Sequence, residues 1–164
     1  MIFWLDSPKD AGIDHPNLPI WGINMPDDSG FLYGLPRMPA GYLPGPQGFK
    51  TAMHNIGKWT DPDNVDQSIS DFDREEFFPK LKQYLPKAVG PVIDTKTCLY
   101  YKTSGDHHFR IGLHPSTPHV VVATNFSYHG FKFQPVMGEI LADLAMTGKS
   151  THQIDFIALE RENF

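Results

Sequence analysis

Proline and glycine set the first limit on this fold. There are 15 prolines and 14 glycines in 164 residues, with a dense cluster in residues 8–48. Proline removes a backbone donor and fixes φ, and glycine admits tight turns, so this stretch must be short extended pieces joined by turns. Residues 2–5 (Ile-Phe-Trp-Leu) read as a strand with no lead-in, a start that predicts a piece of a larger protein. Residues 19–24 and 30–35 read as two short strands around a turn at 26–30, and 36–48 is turn chemistry throughout. Residues 48–54 read as another strand. Alternation puts Phe49, Thr51 and Met53 on one face and Lys50, Ala52 and His54 on the other. Asp61-Pro62-Asp63 is a turn.

The pattern then changes period. Asp73 with Glu76 three residues on predicts a capping box. Phe77, Phe78, Leu81, Tyr84 and Leu85 follow at helical spacing until Pro86. Pro79 inside this pattern predicts a kink or a delayed start. Residues 92–101, 109–113 and 119–123 read as three successive strands. A second helix is predicted from Pro135 through Val136, Ile140, Leu141 and Leu144 to Gly148, and residues 154–159 as a last short strand. The expected class is α+β, with a mostly antiparallel or mixed sheet and two main helices.

Composition narrows the function. The net charge is −5 with no long basic block, which argues against nucleic acid as the main partner. One cysteine cannot form an internal disulfide, and the first residues have neither a basic region nor a cleavage site. Both predict a reducing, cytoplasmic setting. No apolar run approaches the ~18 residues of a membrane span.

Four features carry candidate chemistry. The run from Asn125 to Phe133 follows an apolar strand and opens a helix, placing His129 and Lys132 where free N–H groups and the helix dipole favour an anion or the electron-rich edge of a ring cofactor. Cys98 shares a strand face with Tyr100, either as a small buried apolar group or as a thiolate nucleophile or tether. Spacing leaves a dyad of Cys98 with His129 or His54 open, without a local signature. Lys50 and His54 face the same way, either solvated or beside a reactive ring whose anion the lysine stabilises. The five histidines at 107, 108, 114, 119 and 129 show neither H-x-H nor H-E-x-x-H spacing, so no metal site is expected. Gly41, Gly45 and Gly48 do not form the G-x-G-x-x-G phosphate cradle, which occurs nowhere in the chain.

Several segments in order carry a resemblance. They are Tyr33-Gly34-Leu35-Pro36, Gly48-Phe49-Lys50 with His54, Asp61-Pro62-Asp63, and Cys98-Leu99-Tyr100 with Thr103 and His108-Phe109. Next come Phe126-Ser127 with His129-Gly130-Phe131-Lys132-Phe133, then Gly138 to Leu144, and finally Phe156 with Arg161. Together they resemble the C-terminal portion of the monomeric sarcosine oxidase and N-methyltryptophan oxidase family of FAD-dependent amine oxidases. The resemblance implies that residues 1–164 are the substrate-side and flavin-attachment portion, and that the Rossmann-type FAD-binding part lies outside the chain. It implies that the whole enzyme oxidises a secondary amino acid such as sarcosine with O₂, giving an imine and H₂O₂. By resemblance Cys98 is the cysteine that forms a thioether to the flavin, Lys50 the lysine that activates dioxygen, and His54 an active-site histidine. Lys132 pairs with the substrate carboxylate, His129 and Gly130 lie at the flavin ring, and Tyr33 and Tyr100 lie near the substrate. Asn125 and Tyr128 stand where the family keeps glycines. The expected partners are a small amine substrate and either the missing FAD-binding half or a second copy. The alternative reading is a stand-alone, non-catalytic α+β module that binds a partner chain or a small anion.

Overall fold

The short apolar runs of the first third become strands of one antiparallel sheet. The computed structural model describes residues 1–26, 30–54, 56–100 and 106–161. The turn expected at 26–30 therefore falls partly outside the described residues, and Thr103 falls wholly outside them. The chain divides into two compact units, Met1–Cys98 and Leu99–Phe164.

In the first unit, β1 (Ile2–Leu5), β2 (Trp21–Asn24), β3 (Phe31–Leu35), β4 (Phe49–His54) and β5 (Val92–Lys96) form a sheet in the order β2-β3-β4-β1-β5, each pair antiparallel. The alternation expected in β4 holds. Phe49, Thr51 and Met53 are buried together with Phe3, Leu5 and Leu32, while Lys50 and His54 on the other face are half-buried. Phe77 and Leu81 of α1 (Asp71–Tyr84) close this core, and the Phe3 and Phe77 rings stack at 4.3 Å. Each such side chain contributes about 1.5–3 kcal/mol when fully buried. Gly34 leaves room for Trp21 to lie over Phe49, whose rings stack at 5.8 Å. A Cβ on Gly34 would sit 2.7 Å from the Trp21 ring and against the Lys50 carbonyl oxygen.

The start of α1 differs from expectation. The reciprocal cap joins Ser70 and Asp73: the Asp73 N–H donates to Ser70 Oγ (3.2 Å), and the Ser70 N–H donates to Asp73 Oδ2 (2.9 Å). Glu76 instead pairs with Lys80 one turn on, at 3.2 Å. The helix also continues through Pro79 to Tyr84. Pro79 is exposed, so the Glu75 carbonyl that loses its helical donor faces solvent, where water can satisfy it. The strand expected over 92–101 ends at Lys96, so Cys98 and Tyr100 lie beyond it.

In the second unit, β6 (Arg110–His114) and β7 (Thr117–Thr124) form an antiparallel hairpin. α2 (Gln134–Thr147) packs on it through Met137, Ile140 and Leu144, against Phe109, Ile111 and Ile157. Gly148, with φ 75°, ends the helix and donates its N–H to Leu144 O. The last strand expected over 154–159 is instead a 3-10 turn at Asp155–Ile157, with a single parallel bridge between Ile111 and Ala158. The Arg161 guanidinium explains why the chain turns here. It binds both oxygens of Asp106 (2.8 and 2.9 Å) and donates to the carbonyls of Phe109 (2.7 Å) and Ala158 (3.2 Å), tying the end of the chain to the start of β6. No helix among the described residues is long and apolar enough to cross a membrane.

Two outcomes follow. Gly34→Ala forces the Lys50 carbonyl and Trp21 apart, and chemical denaturation should show a loss of about 1–3 kcal/mol. The hydrogen bonds from Arg161, and then that from the His108 N–H, hold the Asp106 carboxyl well below the usual carboxylate range. A depressed folded value stabilises the fold above the unfolded value of about 3.9 and loses that stabilisation as pH falls toward the folded value. The stability gap between wild type and Asp106→Asn should therefore be full above about pH 4 and close progressively in more acid solution.

Candidate active site

The pairing of β3, β4 and β1 decides which side chains share the face away from the core. Antiparallel register sets Phe31 opposite His54, Tyr33 opposite Ala52 and Leu35 opposite Lys50. It also sets Ile2 opposite Ala52 and Trp4 opposite Lys50. Directly opposed residues project to the same side. The sheet thus brings together three of the predicted site residues: Lys50 and His54 flank Ala52 on β4, and Tyr33 lies diagonal to both. The Phe31 and Tyr33 rings stack at 6.0 Å along one side of this face. The Lys50 ammonium lies over the Trp4 ring, 5.2 Å from its centroid. A cavity of about 80 Å³ adjoins this pair, walled by Leu35, Pro36, Met38 and Leu43. Trp4 escaped the sequence reading, although the signal was there: with Phe3 and Leu5 directed into the core, alternation sends Trp4 to the face that carries Lys50.

Cys98 is exposed, with a free thiol. This removes the reading of a small buried apolar group. β1 begins at Ile2, whose partner is Lys96, so the ladder has no partner strand for Cys98.

In the second unit, the turn after β7 has an unusual backbone. Asn125, Ser127 and Tyr128 all have positive φ (60°, 44° and 60°), a region that side chains other than glycine rarely adopt. Two of the three are the positions where the resemblance places glycine. Local bonds hold the turn: Ser127 is fully buried and its Oγ donates to Asn125 O (3.1 Å). His129 Nδ1 lies 2.6 Å from Ser127 O. A carbonyl only accepts, so Nδ1 carries the proton, and in the neutral ring Nε2 is left as the acceptor. Tyr128 packs against Tyr100 (5.3 Å, planes at 60°) and edge-on to His129 (5.5 Å). Gly130 has an ordinary φ of −68°, and its missing side chain makes room for Phe126, which a Cβ would approach to 2.6 Å. Lys132 sits in the short 3-10 segment Phe131–Phe133, exposed, just ahead of α2. The helix has Pro135 in its first turn, no side-chain cap and no acidic residue there, so its dipole adds to the positive potential around Lys132. Among the described residues no cluster of three histidine, cysteine or carboxylate groups could hold a metal ion.

Comparison with known proteins identifies the class. The family model of FAD dependent oxidoreductases (DAO) matches residues 3–144, and the chain belongs to this family. The chain is 39% identical over 137 residues to the monomeric sarcosine oxidase of Bacillus sp. (strain NS-129), covering 82% of this chain and 34% of that protein. It is 38% identical over 89 residues to the N-methyl-L-tryptophan oxidase of Salmonella enteritidis PT4 (strain P125109), covering 54% and 23%. It is 34% identical over 118 residues to the peroxisomal sarcosine oxidase of Mus musculus, covering 70% and 28%. The chain spans about a third of the length of such relatives. Among solved structures, the open form of NikD, an unusual amino acid oxidase essential for nikkomycin biosynthesis, superposes with a TM-score of 0.66 at 20% identity, over 96% of this chain and 39% of that one. It shares the fold. The expected resemblance and the expected α+β class with two helices are both borne out.

The left-handed turn makes a local prediction. Asparagine tolerates φ near +60° and a β-branched residue does not. Asn125→Val should cost about 1–2 kcal/mol in denaturant titration, while Asn125→Gly should leave stability nearly unchanged.

Proposed function

We propose that this chain forms the substrate-side, flavin-attaching portion of an FAD-dependent oxidase of small secondary amino acids, with N-methyl amino acids such as sarcosine as the substrate class. The observation that carries the reading is the sheet face on which Tyr33, Lys50 and His54 meet, in a chain of the FAD dependent oxidoreductase family. The residues present suit the ring end of such a cofactor. An exposed thiol is available for attachment, and the cation on the sheet face and the cation ahead of an uncapped helix suit an electron-rich ring. The chain's glycines do not form a pyrophosphate cradle, so that end of the cofactor requires other residues. When bound, the flavin supplies two-electron oxidation of the amine and passes the electrons to dioxygen, giving H₂O₂ and an imine that hydrolyses.

The chain's own residues then divide the work. Lys50 brings a fixed positive charge to negative charge developing on dioxygen. His54 lies four residues along the same strand face, so the two backbone positions stand about 13 Å apart and their side chains flank the space between them. Tyr33 and Tyr100 supply aromatic walls for the substrate. Lys132, with the α2 dipole behind it, pairs with the substrate carboxylate. His129, its tautomer set by the Ser127 carbonyl, offers Nε2 as an acceptor at the ring edge. Cys98 would hold the flavin through a thioether to its 8α-methyl carbon; forming that bond would release the thiol proton and one methyl hydrogen as protons, with the two electrons passing to dioxygen to give H₂O₂.

Denaturing gels of the full-length flavoprotein test the attachment. Flavin fluorescence should travel with the wild-type band and vanish from Cys98→Ser; a dark wild-type band overturns the tether. Peroxide release with sarcosine tests the reaction. Lys50→Met should slow reoxidation of the reduced flavin by about a hundredfold in stopped-flow mixing with dioxygen. Unchanged reoxidation would remove Lys50 from that role.

A further inference from the structure

The face that carries Lys50 also holds a residue that nothing so far has given a role. β1 lies between β4 and β5, so one cross-strand row reads Leu35, Lys50, Trp4, Asp94. Trp4 is the central member on its strand, half-buried, with the Lys50 ammonium 5.2 Å from its ring centroid. That distance is within the range of a cation–π contact. On the strand beyond Trp4 in this row stands Asp94, exposed, its Oδ1 accepting the Thr95 N–H at 2.8 Å.

We infer that Trp4 is a positioning residue for the Lys50 charge: its indole face holds the ammonium and separates it from Asp94. This rests on the proposed role of Lys50 in the reaction with dioxygen. Two strand spacings put Lys50 and Asp94 only about 10 Å apart at the backbone, a gap that a lysine and an aspartate can close if nothing stands between them. An ammonium drawn to that carboxylate is partly neutralised and no longer points at the reacting molecule. Electrostatic stabilisation depends on a charge already being in place when the reaction's charge develops. The indole does this without adding a counter-charge: it attracts the cation through its quadrupole and leaves its net charge intact. The cavity beside the pair is of mixed character, lined by Leu35, Pro36, Met38 and Pro44 together with Gln47 and Lys50. It leaves room for a molecule as small as dioxygen beside Lys50, the one cation among its lining residues. Trp4 is also free to serve this purpose, because Phe3 and Leu5 on either side make the core contacts of the strand.

The test uses Trp4→Leu, Trp4→Phe, Trp4→Leu/Asp94→Asn and Lys50→Met in the full-length flavoprotein. Anaerobic reduction by the amine and reoxidation by dioxygen are followed separately. Trp4→Leu should slow reoxidation about tenfold with anaerobic reduction unchanged. Trp4→Phe, which keeps an aromatic face, should stay within about threefold of wild type, and Asp94→Asn should recover part of the loss in the double variant. A second readout needs no turnover. In protein labelled at the lysine ε-carbon, the Lys50 methylene signal should be shifted upfield by the indole ring current and return to the ordinary lysine position in Trp4→Leu. If Lys50→Met reoxidises at the wild-type rate, the role of Lys50 fails and takes this inference with it. If Lys50→Met is slow and Trp4→Leu is not, the inference alone is overturned. It is overturned as well if Trp4→Leu slows both half-reactions equally, or if the Lys50 signal shows no ring-current shift.

Discussion

The pairing of β1 with β4 is the contact on which the first unit depends. It sets Leu5 opposite Phe49 and Phe3 opposite Thr51, with all four of these side chains directed to the core. The same register sets Trp4 opposite Lys50 on the other side of the sheet. The core and the candidate site are therefore two faces of one ladder. A slip of one residue would exchange them, burying a lysine against Phe77 and exposing Phe3. Burying an unpaired ammonium is costly enough to forbid that register, so the charge proposed for chemistry also helps to specify the sheet.

That coupling explains how much of the first unit was legible. The strand at residues 2–5 was readable as a short apolar run that stops at Asp6. The face assignment in β4 followed from period 2 alone. The end of β5 was not legible. Residues 97–101 keep a strand-like composition, but the ladder between β1 and β5 ends at the pair Ile2–Lys96. Cys98 lies past that last pair and is exposed, which no local pattern encodes. The cap of α1 was ambiguous in a different way. Ser70 with Asp73 and Asp73 with Glu76 both fit the three-residue spacing, and the extended backbone of Ser70 (φ −91°, ψ 164°) selects the first.

In the second unit, local propensity lost to one side chain. The sequence at 154–159 is apolar enough for a short strand. Arg161 spends its donors on Asp106 and on the carbonyls of Phe109 and Ala158, and to reach them the chain must turn rather than run along β6. One bridge at Ala158 is what remains of the expected ladder. An arginine near the end of a sequence carries no sign of which carbonyls it will bind, so this clamp is tertiary information.

The turn at 125–130 shows why departures from glycine are informative there. Left-handed backbone at three non-glycine residues costs of order 1 kcal/mol or more apiece, and persists only where neighbours over-determine it. The neighbours are identifiable: buried Ser127 bonded to Asn125 O, His129 Nδ1 bonded to Ser127 O, and the Phe126 ring seated against Gly130. Each contact fixes one more dihedral of the same few residues. Together they hold the His129 ring with Nδ1 occupied by the Ser127 carbonyl, which leaves Nε2 as the acceptor of the neutral ring. Glycine at 128 would relieve the backbone but would surrender the aromatic contact of Tyr128 with Tyr100 and His129. The chain has exchanged an unstrained turn for an aromatic one.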